Sequence, residues 1–497
     1  MRILLIVPAF EDVYGSFRHI YKKGFLNPPM SLCYIAAALE EAGYAVKIVD
    51  GEAEKLSIRQ IIDIAKTYEA GLFCLTATSI DFDKAKLLGE ELKKEFSQTP
   101  IIIGGTHINI FGKQVLEDMP EADFGCIGDG EDLIVELANA LSAGKSELLE
   151  GIAGLIFRKN NLVIQNKLRV LEKNLDCYTF PARHLLKNEL YARTIPYEGY
   201  QVTASFMSTR GCPYSCVYCA VKNIYGGENV RVRSAVNVVE ELEYIVNKMN
   251  IRHIAFNDDC LTINKNRIFE ICDLIQKKDL KFTWEGLSRA DLVDKKLLTE
   301  MKKRGFNRIS FGIESGNPEI LKVLQKNETL EQIKEAFKIS REVGIVARGS
   351  VLIGSPFETR KTVKDTFCFI RKLKGLDEVV INILQPYPGT KVRQMVLEGV
   401  GGASFCNETD KYENLQRFGS ASIKVNDLDP KKLIFLQKWG FLMFYSRPGV
   451  VLNCIKIMGL KTFFESGINF FRTLFESLNR KKGKHEKEKN FDNNSCL

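Results

Sequence analysis

The chain has 497 residues, 45% of them hydrophobic and 27% charged, a globular composition that excludes a disordered, collagenous or purely coiled-coil protein. The length suggests about three domains. Thirteen cysteines are too few for a disulfide scaffold, and odd in number, so clustered thiols read first as metal ligands or catalysts. The formal charge of +8 is not a nucleic-acid signature, because Arg480 to Lys489 alone holds six Lys/Arg against Glu486 and Glu488. The opening MRILLIVPAF contains Pro8 and runs into Glu11 and Asp12, which reads as a first strand and not a signal peptide. Between Trp439 and Leu460 the apolar runs are broken by Arg447, Pro448 and Lys456, so no spanning helix is expected. These features predict a cytoplasmic protein.

Residues 1–143 alternate strand and helix signals. ILLIVPAF is a continuous apolar run, as in a strand buried on both faces, and a helix over 30–42 ends at Gly43. Strands follow at 45–50, 71–78, 100–105 and 123–128, predicting a doubly wound, Rossmann-like parallel sheet. Residues 144–200 read as a hairpin turning at Asn160-Asn161 and a connector. From Gln201 a second alternation, with strands at 201–208, 253–257, 281–286, 308–313, 347–353 and 379–384, predicts a partial (β/α)6 barrel over 201–395. Residues 396–479 are expected to be mostly helical and 480–497 a basic tail. The fold class is α/β throughout the first two units.

After the first barrel strand stands STRGCPYSCVYCAV, placing Cys212, Cys216 and Cys219 in a Cys-x₃-Cys-x₂-Cys loop with Tyr218 before the last thiol. A structural zinc site wants four ligands in paired spacing, and no partner pair follows. Three thiolates on a [4Fe–4S] cube leave one iron open to a ligand. This loop resembles that of the radical S-adenosylmethionine (SAM) superfamily. The resemblance implies SAM chelated to the open iron, an electron from an external one-electron reductant, and release of a 5′-deoxyadenosyl radical. It further implies SAM contacts at the strand ends: Glu314 and Ser315 at the ribose, and backbone near Val351 and Ile353 at the adenine. The amine would fall to Asp258 or Asp259, where many members have Gly-Gly-Glu. Arg289 is either a partner for SAM's carboxylate or part of a surface ion pair, and Glu358 reads as a first-turn helix charge.

The N-terminal signatures TATS (76–79), IIIGGTH (101–107) and GDGED (128–132) resemble the cobalamin-binding domain fused to one branch of radical SAM enzymes. The resemblance assigns Thr76, Thr78, Ser79, Gly104, Gly105, Thr106, Gly128 and Gly130 to the cobalamin cleft, and lays the loop from Phe10 to Pro29 over the corrin. None of the five histidines lies in an Asp-x-His-x-x-Gly pattern, so no histidine is expected to ligate cobalt. The resulting expectation is a cobalamin-dependent radical SAM methyltransferase acting at an unactivated carbon of a small-molecule or lipid-like substrate. The rivals are an oxidative cyclase or rearranging enzyme of the anaerobic porphyrin cyclase kind and a non-catalytic cobalamin sensor or carrier. The apolar, lysine-flanked stretch from Gly449 to Lys482 reads either as a lid on the barrel or as an interfacial helix giving peripheral membrane contact.

Overall fold

The computed structural model describes residues 1–10, 26–227, 229–406, 412–416, 418–465 and 467–468. Most of the expected corrin-covering loop, the later part of the lysine-flanked C-terminal stretch and the whole basic tail lie outside them. The first unit runs β1 (Arg2–Val7), α1 (Met30–Glu41), β2 (Ala45–Asp50), α2 (Ile58–Tyr68), β3 (Leu72–Thr76), α3 (Phe82–Glu95), β4 (Ile101–Gly104), α4 (Thr106–Phe111), α5 (Gln114–Asp118), β5 (Phe124–Cys126) and α6 (Glu131–Ala143). The hairpin β6 (Leu155–Lys159) and β7 (Leu162–Gln165) follows. The sheet order is β2-β1-β3-β4-β5-β6-β7, with β1 to β5 parallel. Leu4 and Ile6 enter one apolar cluster and Ile3 and Leu5 the other, which is why the first strand is apolar at consecutive positions. The strand order reverses between β1 and β3, and the crevice at that switch point is where such sheets take ligands.

The hairpin does turn at Asn160 and Asn161, both left-handed at φ 50° and 65°. It is not a separate connector, however, because β6 pairs antiparallel with β5 and widens the first sheet.

The second unit holds β8 (Ala192–Ile195), β9 (Gly199–Phe206), β10 (Thr209–Arg210), α7 (Val221–Ile224), β11 (Arg231–Val232), α8 (Ala235–Asn247), β12 (His253–Phe256), α9 (Lys265–Lys277), β13 (Thr283–Ser288), α10 (Lys295–Lys303), β14 (Phe306–Glu314), α11 (Pro318–Val323), α12 (Leu330–Val343), β15 (Val346–Ile353), α13 (Arg360–Lys372) and β16 (Glu378–Ile383). Its sheet order is β16-β15-β14-β13-β12-β9-β8. Six strands are parallel, and β8, from the expected connector, adds an antiparallel edge. The sheet curls into a partial barrel: Val392 N–H, beyond β16, donates to Val217 O, beyond β9, although four strands separate the two. An ionic layer near the strand starts fills its floor, where Arg308 donates to Glu285 at 2.8 Å and to Glu378 at 3.3 Å.

The C-terminal region is less helical at its start than expected. After α14 (Lys391–Leu397), β17 (Ala403–Phe405) and β18 (Ile423–Val425) pair antiparallel. Then α15 (Pro430–Tyr445) packs on β16, with Gln437 Nε2 donating to Ile381 O at 2.8 Å, and α16 (Pro448–Met458) follows.

Candidate active site at the barrel strand ends

The three cysteines sit in a loop closed at its base by the β10–β11 ribbon, in which Arg210 pairs with Arg231. Gly211 opens the loop at φ 95°, and a Cβ there would stand 2.8 Å from Asn229 O, so only glycine fits. Buried Val217 pins the loop through its N–H to Leu324 O at 3.1 Å. Cys212, Cys216 and Cys219 are unpaired and reach solvent. Burial raises the pKa of the Cys212 and Cys219 thiols, Cys219 to about 11, and the other triad thiols add to the rise. The Tyr214 and Val221 amides donate to these two sulfurs and pull the other way. Among the described residues no three His, Cys, Asp or Glu side chains converge closely enough for a single metal ion. A cubane is bound differently: each thiolate takes its own iron, so its ligands surround an object larger than one ion. Three convergent reduced thiols with amide donors fit such a cluster.

The two aspartates after β12 separate cleanly. Asp258 is 1% exposed and accepts from Ser208 N–H at 2.6 Å, Thr209 N–H at 2.9 Å and the Ser208 hydroxyl. It ties the first two strand ends together. Asp259 is half-buried and accepts from the Gly211 amide, and its charge bears on Cys212 and Cys219. Burial and neighbouring Asp258 push its carboxyl up to about 6. Asp259 is thus the strand-two acid beside the thiols. Cys260, a lone cysteine in sequence, places its buried thiol near Cys212, with the Arg289 amide donating to it.

Glu314 ends β14 in the left-handed region at φ 60°, beside a register shift. A non-glycine residue held there is strained backbone of the kind that clusters at functional sites. Its carboxylate accepts from the Tyr218 hydroxyl and lies 3.8 Å from Lys326 Nζ. A Cβ on Gly312 would collide with Glu314 Oε1 and stand 2.9 Å from Lys326 Nζ. Lys326 itself, absent from the sequence reading, is 5% exposed and pairs with Glu328 at 3.2 Å. Burial lowers its pKa, but Glu314 and Glu328 outweigh that and hold the ammonium above its usual range, with Cys216 adding to the effect. The α11–α12 loop disguised this residue as a surface lysine.

Other expected contacts have different partners. Arg289 is in neither a surface pair nor an open position: its guanidinium, 5% exposed, makes two 2.9 Å bonds to Asp291, a 3.0 Å bond to Lys326 O, and lies 3.7 Å over the Tyr214 ring. The Ser315 hydroxyl, fully buried, meets Thr366 Oγ1 at 3.1 Å and accepts from Asn317 N–H. The side chains of Val351 and Ile353 lie in the core with no exposure, and the strand's two-residue period turns half-exposed Ser350 and Leu352 to the other face; the contact expected with adenine is one of this strand's backbone. Glu358 is no exposed first-turn charge: wholly buried, it accepts the Gly354 and Ser355 amides at 2.5 and 3.0 Å, while Oε1 has no partner among the described residues.

In the first unit, Thr76 and Gly104 stand in register at the ends of β3 and β4, beside the switch point. Among the described residues a Cβ on Gly104 or Gly128 would come no nearer than 4.0 Å to any neighbour, which leaves both at an edge that a large ligand can approach, with half-exposed Thr106 next to it. Gly105 and Gly130 are needed for packing instead: a Cβ on Gly105 would strike Ala77 O, and one on Gly130 would stand 2.8 Å from Ile35. The Thr78 hydroxyl donates to Asp81 at 2.9 Å, and Ser79 Oγ lies 3.0 Å from His107 Nδ1. This open edge fits a corrinoid's nucleotide tail.

The two units meet at GDGED. Arg210 binds Glu131 at 2.5 Å and Asp129 at 3.2 Å, with the Tyr34 and Tyr178 rings each 5.2 Å from its guanidinium. Arg231, across the ribbon, also binds Asp129. Asn109 joins them, accepting from Gly128 N–H at 2.9 Å and donating to Ile224 O at 3.1 Å. Both ends of the cysteine loop are thus clamped onto the first unit.

A partial barrel with this thiol loop, joined to a sheet of the 2-1-3-4-5 order, defines a radical SAM enzyme carrying a corrinoid domain. The Radical SAM superfamily profile matches residues 206–370 and the B12 binding domain profile residues 22–138. An uncharacterised methyltransferase of Pyrococcus horikoshii is 30% identical over 456 residues, 92% of this chain and 95% of that protein. The anaerobic magnesium-protoporphyrin IX monomethyl ester cyclase of Cereibacter sphaeroides is 27% identical over 382 residues, 74% of this chain and 59% of the cyclase. The radical SAM methyltransferase TsrM of Kitasatospora setae shares the fold at TM-score 0.69 and 18% identity, covering 90% of each chain. The chain belongs to the cobalamin-dependent radical SAM enzymes, whose cofactors are a [4Fe–4S] cluster, SAM and cobalamin.

Proposed function

We propose that the protein is a methyltransferase acting at an unactivated carbon of a small-molecule substrate. The observation that carries this reading is the similarity to a protein named a methyltransferase along 95% of that protein's length, against 59% for the cyclase of Cereibacter sphaeroides. When bound, the three cofactors supply reductive SAM cleavage and a transferable methyl group. The chain's own residues hold and orient. Cys212, Cys216 and Cys219 take the cluster, with amide donors at two sulfurs easing their ionisation. Glu314, steadied by the Tyr218 hydroxyl and Lys326, would accept from the ribose hydroxyls. Lys326 would be the cation that meets SAM's carboxylate, one of the two readings given for Arg289, and Asp259 would accept from the amine. Ser315 acts through the turn it holds behind Glu314. Thr76, Gly104, Thr106 and Gly128 would line the corrinoid edge, and the GDGED clamp sets that edge against the thiol loop. In this reading the corrinoid unit comprises residues 1 to 165 and the barrel begins at Ala192.

Anaerobic reconstitution with iron, sulfide and cobalamin, then incubation with SAM, reductant and candidate substrates, tests the proposal. Methyl transfer forms both S-adenosylhomocysteine and 5′-deoxyadenosine. Formation of 5′-deoxyadenosine and product without S-adenosylhomocysteine assigns the cyclase chemistry instead, and cobalamin retention with no SAM turnover assigns a carrier.

A further inference from the structure

The helices after the barrel carry an apolar stripe that the chemistry does not use. On α15, Phe435, Trp439 and Leu442 are 63%, 50% and 46% exposed, and helical geometry sets them within an arc of about 60°. Leu452 on α16 is 67% exposed, and Leu460 and Phe464, in the helical stretch that follows, 57% and 58%. The opposite side of α15 is committed to the barrel through Leu433, Gln437, Gly440 and Phe444.

Lysines flank each exposed group. Exposed Lys431 stands one turn before Phe435, exposed Lys456 one turn after Leu452, and exposed Lys461 beside Leu460. Residues 430–468 contain six Lys/Arg and one acid, Glu465. Asp427 and Asp429, just ahead of α15, are taken by Arg360 and Lys432.

A second copy of this face would oppose like charges across a two-fold axis. An anionic lipid surface satisfies both features at once: apolar side chains enter the headgroup boundary, lysine stems lie along them with ammonium groups outward, and tryptophan prefers that interface. Among the described residues no helix is long and apolar enough to cross a membrane, which fits helices lying on it. We propose that α15, α16 and the helical stretch after them dock the protein on an anionic bilayer, with Phe435, Trp439 and Leu442 as the inserted stripe.

Trp439 makes the test direct, because the second tryptophan, Trp284, is fully buried and gives a constant background. The full chain is mixed with vesicles of phosphatidylcholine alone or with added phosphatidylglycerol, and Trp439 emission and co-sedimentation are followed. The expected result is a blue shift and pelleting only with the anionic vesicles, weakened by salt and lowered at least about tenfold in Phe435→Ser/Leu442→Ser. Thermal melting of the double variant confirms that it folds. No shift with either vesicle, or equal binding by the double variant, overturns the proposal. So does a vesicle-free dimer in sedimentation velocity that the double variant abolishes, which gives the face to a second copy. Shielding of Trp439 from acrylamide in the free monomer also overturns it, since residues 469–497 would then be the cover.

Discussion

Lys326 and Glu314 form a pair whose energetics are asymmetric. A buried lysine held between two carboxylates is stable only while both partners remain, and removing it strands two acids. Lys326→Met should therefore weaken SAM binding by about one to two orders of magnitude while iron content stays that of the native protein; equilibrium dialysis with labelled SAM and iron assay measure both. Gly312→Ala should do the same from beneath, because its Cβ displaces the Glu314 carboxylate. Glu358 gives a pH prediction. Its carboxyl, desolvated and only partly offset by the Ser355 and Gly354 amides, is raised from 4.5 to about 7. Below pH 4.5 folded and unfolded chains both hold the proton. Between 4.5 and 7 only the folded chain does, so stability falls as pH rises across that window, by up to about 3 kcal/mol. Glu358→Gln should melt above the native protein at pH 8 and with it near pH 4, followed by calorimetry.

At the scale of elements, the two-residue strands β10 and β11 would not hold a loop on their own, since isolated two-stranded hairpins are marginal in water. The clamp supplies what they lack. Asp129, whose carboxyl burial would raise but which Arg231 and Arg210 hold below the usual range, serves both strands. Asp129→Asn should leave two buried guanidinium groups short of charge, costing about 3–5 kcal/mol. Amide hydrogen exchange of the loop between β10 and β11 should quicken in the cofactor-free protein while β12 to β16 stay protected. Unchanged exchange would mean the loop is held by Val217 and its own turns.

For the whole molecule, the units built on the two seven-stranded sheets meet through a polar seam rather than a shared apolar core: the barrel has one large cluster of its own and the first unit two. Such seams resemble transient interfaces more than domain cores. The described histidines offer cobalt little. His107 is buried against Phe82 and Ser79, and desolvation lowers its pKa to about 4. His184 pairs with Glu40, and His253 lies at Thr283 and Glu285 in the barrel. Since none of the five histidines of the sequence lies in an Asp-x-His-x-x-Gly pattern, protein loaded with cob(II)alamin should show an electron paramagnetic resonance spectrum without nitrogen splitting from a histidine.

Much of this was legible before any coordinates. Local signals sufficed where a physical constraint acts along the chain: doubly buried strands must be apolar at consecutive positions, and three thiols on one short loop can wrap one cubane. Glu314 at a strand end and the Asn160-Asn161 turn belong to the same class. What the chain order could not convey depends on neighbours distant in sequence. Burial against Ser208 and Thr209 separates Asp258 from Asp259. Asp291 claims Arg289, and the α11–α12 loop carries Lys326 to Glu314. The GDGED acids Asp129 and Glu131, beside glycines expected at a cofactor, meet two arginines some eighty to a hundred residues away, because a charge's partner is decided by which surfaces the packed sheets bring together.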